Sequence, residues 1–202
     1  MQDILNFLKE NKVQSLLDIG ANVGNFSRTV KHFFPDMNIL MLEANPYCDH
    51  PLSQSGIPYE IACLSDDIKT VDLYLNPKNY MCTGTSYYKE VTVHYDNADW
   101  VKTETKLLDD VVRDRTYEYI KMDTQGSELD ILRGGTKTVE KAKYIQLETT
   151  LVKYNEGAPL KDEVVDYMKS VGFSPTKLVE THYKDHNPAT GIVIQEDWIF
   201  TR

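Results

Sequence analysis

The strongest constraint on the fold is an alternation of short apolar runs with amphipathic stretches between Ser15 and Ala62. Ser15–Ile19, SLLDI, is long enough only for a strand. From Gly24 to Phe34, residues Phe26, Val30, Phe33 and Phe34 share one helical face, and Pro35 stops the helix. Asn38–Leu42 is a second strand, running up to Glu43; Pro46 opens a short helix, and Ile57–Ala62 is a third strand. A β-α-β-α-β run with short connections calls for a parallel sheet with helices on both faces.

The pattern resumes further along. Tyr119–Met122 is a strand ending at Asp123, and Tyr144–Leu147 a strand ending at Glu148. Between them, Glu128–Arg133 is a helix for which Gly134 and Gly135 supply a C-cap. Leu160, Val164, Tyr167, Met168 and Val171 mark another helix, closed by Gly172. Ser174–Glu180 and Ile192–Phe200 are final strands, joined by a polar loop holding His182, His186 and Pro188. Ile4, Leu5 and Leu8 place a helix at residues 2–11; Val71–Leu75 alternates as an edge strand does; residues 76–106 form a long functional loop with some strand. The 202 residues, with no repeat or linker, are expected to make one domain, 1–202.

Net charge narrows the partners. At −9, without a dense Lys/Arg cluster, the chain disfavours nucleic acid. Cys48, Cys63 and Cys82 are odd in number and unsuited in spacing to zinc or a disulfide framework, so they read as reduced thiols in a cytoplasmic protein. The N-terminus is not built as a signal peptide, and no apolar run nears the roughly 18 residues of a membrane span.

The turn after the first strand, D-I-G-A-N-V-G, carries the chemistry. Gly20 permits a sharp turn and Gly24 close approach of a ligand. The third glycine of a dinucleotide fingerprint is missing, and no Gly-Lys-Ser/Thr follows. Asp18 would repel a pyrophosphate but accept from an ammonium, while Glu43 is placed to accept from both hydroxyls of a ribose. A ligand with a ribose, a cationic amino-acid part and no phosphate fits: S-adenosylmethionine. A nicotinamide-dependent oxidoreductase and a non-catalytic cofactor-fold module, including a domain excised from a longer polypeptide, are the rival readings.

Asp123 and Glu148, at successive strand ends, are candidates for the general base, or for Mg²⁺ or Mn²⁺ ligands with Gln125 or Asn155 nearby. His182 is the rival base, ahead of His94 and His186. Glu128 reads first as an acid complementing a helix dipole. The stretch YMCTGTSYYKEVTVHYDNADW suits either a polyhydroxy acceptor or a flap over the cofactor, and Trp100 and Trp198 read as core or cleft-wall residues.

LLDIGANVGNFS, EANP, IACLSD, TKLLDDVV and YIKMDTQGSELDILRGG occur in that order. Together they resemble the FkbM-type family of class I S-adenosylmethionine-dependent methyltransferases. The resemblance implies a Rossmann-like α/β fold, with a mostly parallel seven-stranded sheet, helices on both faces and an antiparallel C-terminal strand. It implies that Asp18, Gly20, Ala21, Asn22 and Gly24 line the methionine side of the cofactor, that Glu43 with Ala44 holds the ribose, and that Ser65 and Asp66 lie near the adenine. Asp123 and Gln125 complete the cofactor set; Gln125 stands where the family often carries an acid. The implied reaction is methyl transfer to a hydroxyl of a small acceptor, a sugar of a glycan or glycosylated metabolite being expected.

Overall fold

The computed structural model describes residues 1–81, 83–92, 95, 97–184 and 187–202, so Cys82, His94 and His186 lie outside the described residues. The elements run α1 (Gln2–Glu10), β1 (Ser15–Ile19), α2 (Asn25–Phe33), β2 (Asn38–Glu43), α3 (Asp49–Ser53), β3 (Tyr59–Ile61), β4 (Cys63–Leu64), β5 (Thr70–Leu75) and β6 (Asp99–Lys106). They continue with α4 (Leu108–Val112), β7 (Tyr119–Met122), α5 (Glu128–Gly134), α6 (Thr136–Lys141), β8 (Tyr144–Thr150), α7 (Lys161–Ser170), β9 (Ser174–Tyr183) and β10 (Val193–Thr201).

Seven strands form the main sheet in the order β3-β2-β1-β7-β8-β10-β9. The first five are parallel; β10 runs antiparallel to both β8 and β9. Each face carries a core. Leu17, Ile19, Leu40 and Leu42 belong to one, and Leu16, Ile39 and Met41 to the other. This is why the central strands read as unbroken apolar runs rather than as alternating ones. Among the described residues no helix is long and apolar enough to cross a membrane.

Two expectations, the places of Trp100 and His182, need correction, and the rest of the fold gains detail. The third strand expected over Ile57–Ala62 is β3, which pairs with β2; past it, β4 leaves the main sheet and pairs with β6. The break falls at Ala62, whose N–H still donates to the Glu43 carbonyl, and nothing in the apolar run marks it. The strand expected within residues 76–106 is β6, paired antiparallel with β5 from Thr70–Glu104 to Leu75–Asp99. Trp100, Lys102 and Glu104 there alternate with Val101, Thr103 and Thr105, a period-two pattern diluted by polar residues; Trp100 is exposed, not core. His182 lies within β9 and not in a loop, because β9 extends to Tyr183. Gly135 is the C-cap of α5, as expected, with φ −124°. A Cβ on Gly134 would fall 2.1 Å from the Ser65 carbonyl oxygen, so close packing of α5 on the turn after β4 requires the glycine.

Candidate active site

In the sheet order the chain winds outward from β1 through β2 and from β7 through β8, leaving a crevice at the carboxyl ends of these strands. A cleft of about 200 Å³ opens there. Gly20, Ala21 and Asn22 line one side and Glu43 and Ala44 another, with Asp123 and Gln125 at the end of β7. Ala62, Cys63, Leu64 and Ile131 supply an apolar wall, and Thr83 to Tyr87 cover the cleft.

Two turns hold the polar groups, and both contain non-glycine residues in the left-handed region, Asn22 (φ 51°) and Gln125 (φ 55°). Such conformations persist where the surroundings over-determine them, commonly at functional sites. At the first turn the Glu43 carboxylate accepts from the Asn22 N–H at 2.6 Å through Oε2 and from the Asn45 N–H at 2.8 Å through Oε1. Burial pushes the Glu43 carboxyl above its ordinary range, and these N–H groups oppose the shift. Each oxygen keeps a lone pair beside the cleft, as a vicinal diol requires.

Asp18 does not line the cleft. Its side chain is fully buried beneath the turn; Ser27 Oγ donates to Oδ2 at 2.7 Å, and Lys121 Nζ lies 3.4 Å from Oδ1. Lys121, opposite Asp18 in the β1–β7 register, does line the cleft and also pairs with Asp123 at 3.4 Å. Burial works to lower the Lys121 pKa, but the Asp123 and Asp18 carboxylates more than offset it and hold the ammonium. Gly24 is likewise outside the cleft. Its Cβ would meet Leu52 and Met41, so this glycine serves the left-handed entry to α2 (φ 83°) and the packing beside it. Ser65 and Asp66 lie on the turn behind the apolar wall. Ser65 bonds to Asp66 and Tyr87, and a hydrogen bond from Lys69 lowers the pKa of Asp66.

At the other end, Gln125 joins two strand ends. Its amide nitrogen donates to Asp123 Oδ1 at 3.1 Å and to Glu148 Oε2 at 2.8 Å. Gln195 Nε2 adds a second bond to Glu148 Oε2 at 2.9 Å. Glu148 is 8% exposed, and burial, then Asp123, Asp197 and Glu128, raise its pKa well above the usual carboxylate range. The Asp123 side chain, by contrast, is 41% exposed at the cleft. Beyond Glu148, His182 Nε2 lies 3.3 Å from Asp197 Oδ2, and that bond raises the imidazole pKa. Glu128 ties the β7–α5 turn together, accepting from the Thr124 and Gly126 N–H groups, while burial raises its pKa to about 7. Lys121, Gln195 and Asp197 escaped sequence reading. The last two stand two apart in the polar Gln195-Glu196-Asp197 segment of β10, which puts them on one face once the segment is known to be a strand.

The cover is anchored through one carboxylate. Tyr87 and Tyr88 hydroxyls both donate to Asp130 Oδ2 on α5, at 2.9 and 2.7 Å. Asn45 Nδ2 binds the Tyr80 carbonyl and Thr85 Oγ1 from the opposite wall. Asp130→Ala removes both tyrosine anchors. The expected result is several-fold faster limited proteolysis within residues 76–98 and a stability loss of about 2–4 kcal/mol, from two bonds to a charged acceptor. An unchanged proteolysis rate would mean that other contacts hold the cover.

A sheet of this order, with a glycine turn after its first strand and an acid closing its second, is that of a class I methyltransferase. Solved structures share the fold: a precorrin-6y C5,15-methyltransferase from Geobacter metallireducens (TM-score 0.54, 12% identity, all of this chain and 88% of that one) and the methyltransferase domain of bacterial CtHen1-C (TM-score 0.54, 10% identity, 99% and 95%). The Methyltransferase FkbM domain family matches residues 18–175, and the chain belongs to that family. It is similar to the 2-O-methyltransferase NoeI of Sinorhizobium fredii (25% identity, 77% of this chain and 71% of that protein) and to methyltransferase sdnD of Sordaria araneosa (24%, 80% and 74%). It is thus an S-adenosylmethionine-dependent methyltransferase, and the nicotinamide reading is set aside.

Proposed function

We propose that the protein methylates a hydroxyl of a small polyhydroxy acceptor, a sugar of a glycan or glycosylated metabolite. The carrying observation is the arrangement at the end of β7: one partly exposed carboxylate, Asp123, at the cleft, backed by Gln125 and buried Glu148. The cleft suits the cofactor. Lys121 is the one cation lining it among the described residues, and Asp18 and Asp123 already share it, which suits a nucleoside without phosphate. Glu43 would take the ribose hydroxyls, Gly20 to Asn22 the methionine end, and the wall of Ala62, Cys63 and Leu64 the adenine. Ser65 and Asp66 then support that wall from behind.

When bound, S-adenosylmethionine supplies a methyl group on a sulfonium: an O–CH₃ bond forms as the C–S⁺ bond breaks, leaving a neutral thioether. The chain's own task is alignment of the acceptor and removal of its hydroxyl proton. Asp123 is the proton acceptor in this reading; Gln125 holds Oδ1 and Lys121 Oδ2, fixing the carboxylate toward the cleft. The cover, with Thr83, Thr85, Ser86 and Tyr87, offers hydroxyls and an aromatic face to a sugar. The similarity to a protein named a 2-O-methyltransferase supports oxygen as the acceptor atom. The net charge of −9 favours a neutral acceptor over nucleic acid. We read residues 1–202 as one methyltransferase domain at work in the cytoplasm, where the buried thiols of Cys48 and Cys63 stay reduced.

The test is methyl transfer from radiolabelled cofactor to a panel of free and lipid-free oligosaccharides, with product mass spectrometry. Label in a base-stable ether on a saccharide is expected. Silence across the panel, in protein that binds S-adenosylhomocysteine, would overturn the acceptor class and favour a non-catalytic role.

A further inference from the structure

The last three strands gather a donor set that does not line the cofactor cleft. Glu148 on β8, His182 on β9 and Asp197 on β10 each offer one ligand atom, and these atoms lie within 4.8 Å of one another. We propose that this triad binds one divalent first-row transition metal ion beside the acceptor end of the cleft.

Three independent features point there. The first is register. Because β10 inserts antiparallel between β8 and β9, Asp197 falls directly opposite Glu148. Like charges in such a cross-strand pair destabilise a sheet. Lys121 is paired with Asp18 and Asp123 and reaches these two carboxylates only through space, so among the described residues the half-buried His182 is the one cationic partner within contact distance of either. A bound cation removes that imbalance.

The second is spacing. The 3.3 Å between His182 Nε2 and Asp197 Oδ2 is long for an N–H···O bond. It is close to the ~3 Å that separates adjacent donors on an ion with ~2.1 Å bonds. The third is support. Gln125 and Gln195 both bind Glu148 Oε2, so Oε1 carries no hydrogen bond among the described residues and is available as a donor. Hydrogen bonds from outside to a ligating carboxylate are what a metal site uses to orient it. One imidazole and two carboxylates suit Mn²⁺, Fe²⁺ or Zn²⁺ better than Ca²⁺, which takes oxygen donors only.

The site lies next to Gln125, which lines the cleft. An ion there would hold the acceptor hydroxyl in an open position and ease loss of its proton. That role rests on the O-methylation reading, whereas the binding itself does not. The ligand set also differs from the Asp123–Glu148 pair expected earlier: between those two carboxylates sits the Gln125 amide, a donor rather than a ligand.

Chelator-treated, dialysed protein is titrated with Mn²⁺, with free ion followed by electron paramagnetic resonance and heat by calorimetry. One ion per chain is expected, with affinity at least tenfold weaker in His182→Ala and in Asp197→Asn. His182→Ala keeps the test decisive should Asp197→Asn fail to fold, because the imidazole is half-exposed. Absence of Mn²⁺ and Zn²⁺ binding by the unaltered protein would overturn the proposal and leave His182–Asp197 as an ion pair. Loss of binding in Asp123→Asn with His182→Ala unchanged would also overturn it, placing the ion at the other carboxylates. S-Adenosylhomocysteine binding is measured alongside; its loss would count against the cofactor assignment, independently of the metal result.

Discussion

Glu43→Gln is expected to weaken S-adenosylhomocysteine binding by roughly 10- to 150-fold, the equivalent of about 1.5–3 kcal/mol for a hydrogen bond to a charged group. The carboxylate does two jobs at once. Oε2 accepts from the Asn22 N–H and Oε1 from the Asn45 N–H, joining the turn after β1 to the turn after β2. The same oxygens are the acceptors offered to a ribose diol. Glutamine keeps the shape but has a single acceptor oxygen, so its amide N–H₂ must face either a backbone N–H or a ribose hydroxyl. Either choice leaves a donor opposite a donor in a buried place. The variant should therefore melt lower as well as bind less, and calorimetry on the folded fraction separates the two effects. Affinity within twofold of the unaltered protein would remove Glu43 from the ribose.

Much of the central fold was legible because its periodicities are local. The strands from β1 to β3 and from β7 to β8 are short apolar runs between helix-forming stretches, and each start and stop has a chemical mark such as Pro35 or Gly172. The pieces that the sequence marks least sharply depend on distant partners. β6 is polar on both sides of its alternation and is a strand because β5 supplies its hydrogen bonds. β4 leaves the line of β3 where it pairs with β6. His182 could not be assigned to a strand from a run that ends in the polar residues of β9, and its meeting with Asp197 exists only in the register of β9 with β10.

The site divides in the same way. Residues at strand-to-helix turns are legible as cleft-lining positions, since a turn exposes them whatever the rest of the sheet does: Gly20, Asn22, Glu43, Asp123 and Gln125 all line the cleft. Asp18 was misjudged for a physical reason. Two residues before Gly20, the strand still directs its side chain into the fold, where Lys121 and Ser27 receive it. Its charge is balanced inside the protein, not by an incoming ligand. Lys121 was passed over because a lysine inside a four-residue apolar strand carries no periodic signal. Only the pairing of β1 with β7 shows that it faces a buried acid.

The largest single effect on the fold is expected from Gly20→Ala. Gly20 has φ +76°, a conformation that costs an L-residue about 1–2 kcal/mol. The greater obstacle is steric, because a Cβ there would lie 1.9 Å from the Asp123 carbonyl oxygen and 2.8 Å from its carbon. Neither backbone is free to move aside. The Gly20 N–H donates to the Leu42 carbonyl at 2.9 Å, and the Asp123 N–H to the Ile19 carbonyl at 3.1 Å. Relief therefore means prying the tips of β1 and β7 apart, at the place where the cleft is built. The total cost should exceed about 3 kcal/mol, a fall in melting temperature of roughly 10 °C for a chain of this size. Gly24→Ala is the control. Its φ of +83° is as unfavourable, but its Cβ would meet only the ends of the Leu52 and Met41 side chains at 3.2 Å, which can shift. It should lose about 1–2 kcal/mol and keep its affinity for S-adenosylhomocysteine, whereas Gly20→Ala should lose both stability and binding. Equal melting temperatures for the two variants would show that the β1 and β7 tips tolerate separation, and that backbone conformation alone demands glycine at position 20.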